Sequence, residues 1–486
     1  MTEGNRIRGL IDGEEIFRSI YEDIDAVDRD GFIYLAFWMF DPEMIIDIRS
    51  SIAMRELIRR KIIQQVPVRI LIWDFYNTYI QRLLLPDSVI ESVLESIIER
   101  LIPPYIRGNL LRTILSQPGM TVDDVQRMVA GFQNTGYDIE LCVAPFPDHQ
   151  MPNSRVNINP SGQLIPPIDP GSHHQKIVIV NIPGDEEERR LRAHVLGTNI
   201  HNDYQDNRTH RLRYPGSGES LRDRPWHDAG VAAEGPVAAQ VESEFIRRWN
   251  LNRGRCNTSE LSSSGLGNPF PDGISSRLLV TNTTSDDIHL ELIQQLENAG
   301  QSIYVEDQYF SNVELVNAII QASINIETET GENRLQVCLL TNSPDEFESH
   351  GVDLPMEIYR YVNFTNLQLA TCDGIVVNGN GEMNRSRGER WHLSPDSGNR
   401  RWDIPNLEIN RGADGDSIPL SEIQRINGGI RPAYAVSSER PRGNPSIYIH
   451  SKITLIDDRI AYIGSANYSV RSMEYEVRGT KDGVRR

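Results

Sequence analysis

At 486 residues the chain exceeds one ordinary hydrophobic core, so two domains or two fused halves are expected. Hydrophobic residues make up 39% and charged residues 24%, the balance of a soluble globular protein. The formal net charge of −19 argues against a duplex DNA or RNA partner held on a broad basic surface, while leaving room for a small positive site.

The N-terminus, Met1-Thr-Glu-Gly-Asn-Arg-Ile-Arg8, lacks the apolar core of a signal peptide, and no apolar run is long enough to span a bilayer. The expected location is the cytoplasm, with peripheral membrane attachment as the alternative. Glu14 to Val27 carries Ile16, Ile20, Ile24 and Val27 at helical spacing. Gly31 ends that helix, and Phe32 to Phe40 reads as a buried strand. A helix from Met54 to Gln64 and a strand from Val68 to Trp73 follow. The alternation predicts an α/β layer architecture. Residues 79–133 read as a helical insertion whose apolar stripe includes Ile90, Val93, Leu94 and Ile97. Its other face carries Glu91, Glu95 and Glu99, which favours packing onto the domain over docking to a membrane.

The second half repeats the order, with a helix from Ile288 to Leu296, a strand from Ser302 to Phe310, a helix from Val313 to Ala322 and a strand from Leu335 to Leu340. The expected division is a first half over 1–252, a Ser-, Gly-, Asn- and Pro-rich linker over 253–276, and a second half over 277–486. A loop-rich insertion is expected near 378–445. Cys142, Cys256, Cys338 and Cys372 lie far apart with no CxxC pair, and reduced thiols are expected.

Near the C-terminus, Ile447 to Asn467 reads as two strands around a turn at Asp457-Asp458. Side chains alternate along a strand, so His450 and Lys452 share a face. An imidazole and an ammonium on one face suit a phosphate, which calls for a nucleophile or proton donor and a fixed positive charge. Asn467 could bring an amide to the same point. A second copy occurs in Ser172-His-His-Gln-Lys-Ile-Val-Ile-Val-Asn181, with His174 and Lys176, followed by Gly197-Thr198-Asn199. The first copy is lengthened by a polar turn from Gly184 to Arg190. His173 lacks a lysine two residues on and is given no role.

This doubled pattern, His-x-Lys-x4-Asp followed by Gly-Ser-x-Asn, resembles the phospholipase D superfamily. The resemblance implies two fused, internally duplicated α/β/α sandwich domains, each with a central mixed β-sheet. It also implies one active site assembled from both motifs, so that a monomer suffices. Its catalytic residues are His174, Lys176, His450 and Lys452, with Asn199 and Asn467 binding phosphate. Pro225-Trp-His-Asp228 looks like the family segment whose acid orients the opposite histidine, which gives Asp228 to His450. After Arg471-Ser-Met473 the family has an acid for the first histidine; Glu476 fits, with Glu474 as a rival. Glu306-Asp-Gln-Tyr-Phe310 resembles another family segment and is expected to line the pocket or buttress the strand, without a catalytic role. Asn181 stands where the family has Asp. The separation from the histidine is odd, so this position should lie off the catalytic face, at the turn. Leu196 replaces the first glycine of the family's pair.

No His/Cys/Asp cluster has metal-ligand spacing, so no metal and no cofactor are expected. The implied function is phospholipid cleavage at a membrane surface, to phosphatidate and head-group alcohol, through a phosphohistidine. Transfer to an alcohol in place of water is a variant of the same chemistry. The alternatives are a nuclease and a phosphatidyltransferase of the cardiolipin synthase type.

Overall fold

Runs of β-branched residues alternate with amphipathic helices to build two sheets, one in each of two units of the computed structural model. It describes residues 1–73, 122–144, 157–158, 164–165, 173–184, 188–208, 210, 225–282, 285–308, 310, 312–331, 335–341, 376–377, 383–384, 409–411, 416–418, 430–433, 447–468 and 470–473. Unit 1 comprises Met1–Leu279 with Ile463–Ser465, and unit 2 comprises Val280–Tyr462 with Ala466–Arg486.

Unit 1 contains β1 (Thr2–Ile11), α1 (Asp12–Ala26), β2 (Ile33–Phe37), α2 (Met54–Ile63), β3 (Val68–Trp73), α3 (Val122–Gln133), β4 (Ile139–Ala144), β5 (Ile177–Pro183), β6 (Arg189–Leu196), β7 (Ala229–Glu234), α4 (Pro236–Cys256) and β8 (Ile274–Ser276). Its mixed sheet runs in the order β8-β1-β7-β6-β5-β2-β3-β4. β2, β3 and β4 are parallel, and β5 is antiparallel to β2. The periodicity of α1 is met, since Ile16, Ile20 and Ile24 are all fully buried. Each such side chain contributes about 1.5–3 kcal/mol relative to exposure. The opposite face carries α4, whose Ala238, Val241, Phe245 and Trp249 pack with Tyr34, Ala36, Ile177 and Ile179. Alternation turns Val178 and Val180 the other way, toward the face on which α1 contacts β5. The central strands are therefore buried on both sides. Strand β1, with alternating charges at Arg6 and Arg8, was not expected; it gains its partners β7 and β8 from distant sequence.

Two expectations change here. The Ser- and Gly-rich stretch is laid along α4 within unit 1. Trp249 Nε1 donates to Ser259 O at 2.8 Å, and Asn250 exchanges hydrogen bonds with the backbone of Leu261. Buried Glu242 accepts from the Ser264 N–H at 3.1 Å. The expectation of reduced thiols is overturned for one pair, because Cys142 and Cys256 form a disulfide across 5.1 Å between their Cα atoms. Packing of α4 on β4 brings together two cysteines 114 residues apart, a proximity that spacing cannot reveal. Cys338 is a free thiol, its pKa raised by burial and by Glu306.

Unit 2 contains α5 (Asp287–Glu297), β9 (Ser302–Asp307), α6 (Val313–Thr330), β10 (Gln336–Thr341), β11 (Ile430–Ala433), β12 (Ile453–Ile456) and β13 (Ile460–Ile463). The sheet order is β11-β10-β9-β12-β13. Leu292, Leu296, Leu315 and Ile319 of α5 and α6 pack with Ile303, Val305, Val337 and Leu339 on one face. β11 corrects the reading of 378–445 as loop, since Ile430 pairs in parallel with Val337 as a strand of the central sheet. Apart from α3, the helical insertion at 79–133 lies outside the described residues, as does most of 378–445.

The order β6-β5-β2-β3-β4 in unit 1 is repeated as β13-β12-β9-β10-β11 in unit 2. In each, the motif strand is antiparallel to the unit's first central strand, and that strand is parallel to the next. This is the internal duplication read from the sequence. No helix among the described residues is long and apolar enough to cross a membrane.

Candidate active site

In unit 1 the first motif precedes β5. Lys176 is almost wholly buried, and its ammonium donates to the main-chain oxygen of His174 at 2.8 Å. His174 Nδ1 lies 2.9 Å from the main-chain oxygen of Ser465, in the short segment that belongs to unit 1. A carbonyl oxygen can only accept, so this contact places a proton on Nδ1, and in the neutral ring the lone pair is then on Nε2. The ring of Trp38 meets that imidazole edge-on at 5.9 Å and stacks on Trp73 at 5.7 Å.

Asn199 follows β6 and is buried. Its Oδ1 accepts the Met39 N–H at 3.0 Å, and its Nδ2 donates to the Tyr204 hydroxyl at 2.9 Å, which fixes the amide orientation. Asp228 is 1% exposed and its Oδ1 accepts the Ala229 N–H at 2.8 Å. A Cβ on Gly197 would lie 2.0 Å from the same oxygen, so only glycine lets the carboxylate sit there. Glycine is thus required at 197, while Leu196 is accommodated in the core.

In unit 2 the second motif repeats the first contact. Lys452, 4% exposed, donates to the main-chain oxygen of His450. It also lies 3.4 Å from Gln308 Oε1, the oxygen that Asn467 Nδ2 approaches at 3.4 Å. Gln308 Nε2 donates to the Tyr448 hydroxyl at 2.7 Å. The neighbouring Asp307 is fully buried and accepts the N–H groups of Phe310 at 2.6 Å and Tyr468 at 2.8 Å. Asp307 therefore holds the backbone beside Asn467. The expectation that Glu306–Phe310 lines the pocket or buttresses the strand did not single out Gln308 as the residue between Lys452 and Asn467. The sign available was an amide at the end of a strand adjacent to the motif strand.

The structure places Asn181 inside β5, paired with Leu191, rather than at a turn. Its Oδ1 accepts from Arg189 Nε at 2.7 Å, and Arg189 also binds Asp28 at 2.8 Å. β5 simply runs longer than β12, so the turn comes later. Glu474 and Glu476 lie outside the described residues. Asp228 belongs to unit 1 and His450 to unit 2.

One cluster has no counterpart in the sequence reading. Asp12, His210 and His227 offer ligand atoms within 4.8 Å of one another, a set able to hold a divalent cation. His227 Nδ1 lies 2.7 Å from Asp12 Oδ1, and His210 Nδ1 lies 3.0 Å from Asp206 Oδ2. Three distant segments supply these residues, so no spacing rule announces them.

No family model matches the chain. It is 20% identical over 527 residues to phospholipase D alpha 4 of Arabidopsis thaliana, covering 94% of this chain and 59% of that protein. It is 24% identical over 377 residues to phospholipase D alpha 1 of Cynara cardunculus, covering 62% and 44%. The chain thus spans about half the length of these curated relatives. Among solved structures, the phosphatidylserine synthase of Haemophilus influenzae is similar with a TM-score of 0.48 and 10% identity, over 96% of this chain and 80% of that one.

Proposed function

The chain belongs to the phospholipase D superfamily, and we propose that it cleaves the phosphodiester of a phospholipid at a membrane surface, giving phosphatidate and the head-group alcohol. The observation that carries this reading is one geometry found twice. Just before equivalent strands, a buried lysine reaches the main-chain oxygen of the histidine two residues before it. Paired histidines with paired lysines supply a nucleophile, a general acid and two fixed positive charges.

His174 Nε2 attacks phosphorus, the bond from phosphorus to the leaving oxygen breaks, and that oxygen takes a proton from His450. The tautomer implied by the Ser465 contact supports His174 as nucleophile. Neutral His450 then takes a proton from water, whose oxygen bonds to phosphorus as the phosphorus–nitrogen bond breaks. Lys176, Lys452 and the amides of Asn199, Asn467 and Gln308 hold the non-bridging oxygens and offset charge in the transition state. Asp228 orients His450, and Glu476 is assigned to His174. An alcohol in place of water gives head-group exchange.

The test is incubation with mixed phospholipids and, separately, with DNA and RNA, with products read by mass spectrometry. Phosphatidate and free head group are expected. Cleavage confined to nucleic acid would replace this reading with a nuclease, and lipid-to-lipid transfer without hydrolysis would replace it with a phosphatidyltransferase.

A further inference from the structure

The main-chain ladder of β5 does not reach the first histidine. Strand pairing begins at Ile177, and the Leu196 N–H binds the oxygen of Lys176, so Gln175 and His174 lie upstream of it. The side chain of Gln175 nonetheless lies on the side of the sheet covered by α4, where that helix binds it. There its side chain is held at both ends. Arg248 Nη1 donates to Gln175 Oε1, and Gln175 Nε2 donates to Glu244 Oε1 at 3.2 Å. Arg248 is 3% exposed and Glu244 8%, and Glu244 is itself bound by Arg247 at 2.7 Å. A buried guanidinium and carboxylate are costly to desolvate, and they are spent here on the one residue between the two candidate catalytic side chains. The helix that presents them is fastened to β4 by the disulfide at Cys256.

We infer that Arg248 is a positioning residue for His174 and Lys176, acting through Gln175 from the far side of the sheet. The inference rests on the proposed site and names what aims its first half. A nucleophile must meet phosphorus in line, and a displacement of about 1 Å can lower turnover on the order of 10²-fold. Arg248 touches neither substrate nor the reacting atoms, so its effect falls on kcat and leaves KM little changed.

The test is steady-state turnover of bis(p-nitrophenyl) phosphate by the full chain and by Arg248→Met, Gln175→Met, the double variant and Arg248→Lys, with urea unfolding of each. Both methionine variants keep side-chain volume while removing the polar contact. Expected is a fall in kcat on the order of 10²-fold for either single variant, with KM within a few-fold. The double variant should be no slower than the slower single one, because both act through one contact. Arg248→Lys should recover part of the loss. Single-variant effects that multiply, or an Arg248→Met kcat within twofold of the parent while His174→Ala is inactive, would overturn the inference and leave the site intact. Normal turnover by His174→Ala would instead remove the site reading. If Arg248→Met does not fold, Gln175→Met decides: normal turnover there overturns the inference.

Discussion

The carboxylate of Asp457 accepts the main-chain N–H of Gly300 at 2.8 Å, and those of Gln301 and Ser302 at 2.7 and 2.8 Å. The last residue of the family pattern thus fastens the turn after β12 to the start of β9, where α5 gives way to the strand. Asp457 and Asp458 both take positive φ, 53° and 51°, and the Arg459 N–H closes onto the Ile456 oxygen. This is the turn type whose twist suits a hairpin, and Asp tolerates it better than most residues. The acid of the motif therefore serves the fold, while the histidine and lysine carry the proposed chemistry.

Asp457→Ala is expected to destabilise unit 2 by about 1–2 kcal/mol, by stranding N–H groups the carboxylate now satisfies. Burial raises the Asp457 pKa, but the backbone hydrogen bonds from Gly300, Ser302 and Gln301 outweigh it and hold the pKa below the ordinary value. A depressed carboxylate stabilises the fold above its unfolded pKa and ceases to do so as pH falls through the folded one. Urea midpoints of parent and variant should accordingly converge in acid and stay apart at neutral pH. A constant gap across that range would show that charge plays no part.

Asn181→Asp should leave turnover within a few-fold of the parent. The side chain already binds Arg189, which also pairs with Asp28, and an added carboxylate would meet the same guanidinium. A large gain in turnover would mean that the native chain is an impaired enzyme.

His174→Ala and His450→Ala should each abolish turnover, since nucleophile and general acid act in one step and neither substitutes for the other. Near-normal activity in either variant would rule out a shared two-motif site. Gln308→Leu, which removes the oxygen shared by Lys452 and Asn467, should lower turnover without that complete loss.

The disulfide gives a prediction independent of catalysis. Serine at Cys142 and Cys256 should destabilise unit 1 by about 2–4 kcal/mol, because the bond closes a long loop in the unfolded chain. Thermal melts should show an apparent Tm several degrees lower, and dithiothreitol should shift the parent toward the variant. No difference between oxidised and reduced parent would mean that the two thiols are not joined in solution.

A covalent intermediate predicts two displacements at phosphorus, hence retained configuration at a chiral phosphorothioate. A primary alcohol should divert product from phosphatidate to the exchanged lipid while head-group release changes less. Acid-labile, base-stable phosphorus should be found on a peptide containing His174. Inversion would exclude the intermediate, and label on a His450 peptide would reverse the roles.

The sequence alone determined the central elements and the duplication. Ile16, Ile20 and Ile24 announce α1 by helical period, and Val68–Trp73 announces β3 as an apolar run broken only by Arg69, because local periodicity follows directly from which face is buried. The His-x-Lys pairs were legible from their local spacing and its repetition, although both stand just before β5 and β12 rather than within them. Tertiary structure decided what depends on meetings between distant segments. The pairing of Cys142 with Cys256, the gathering of Asp12, His210 and His227, and the grip of Arg248 on Gln175 join parts of the chain that no local rule relates. β11 was hidden in a polar stretch because its strand character comes from pairing with β10 rather than from its own composition. Asn181 shows the same division. Its odd spacing from His174 was enough to take it off the catalytic face, but only the length of β5 put it inside a strand with Arg189 as its partner.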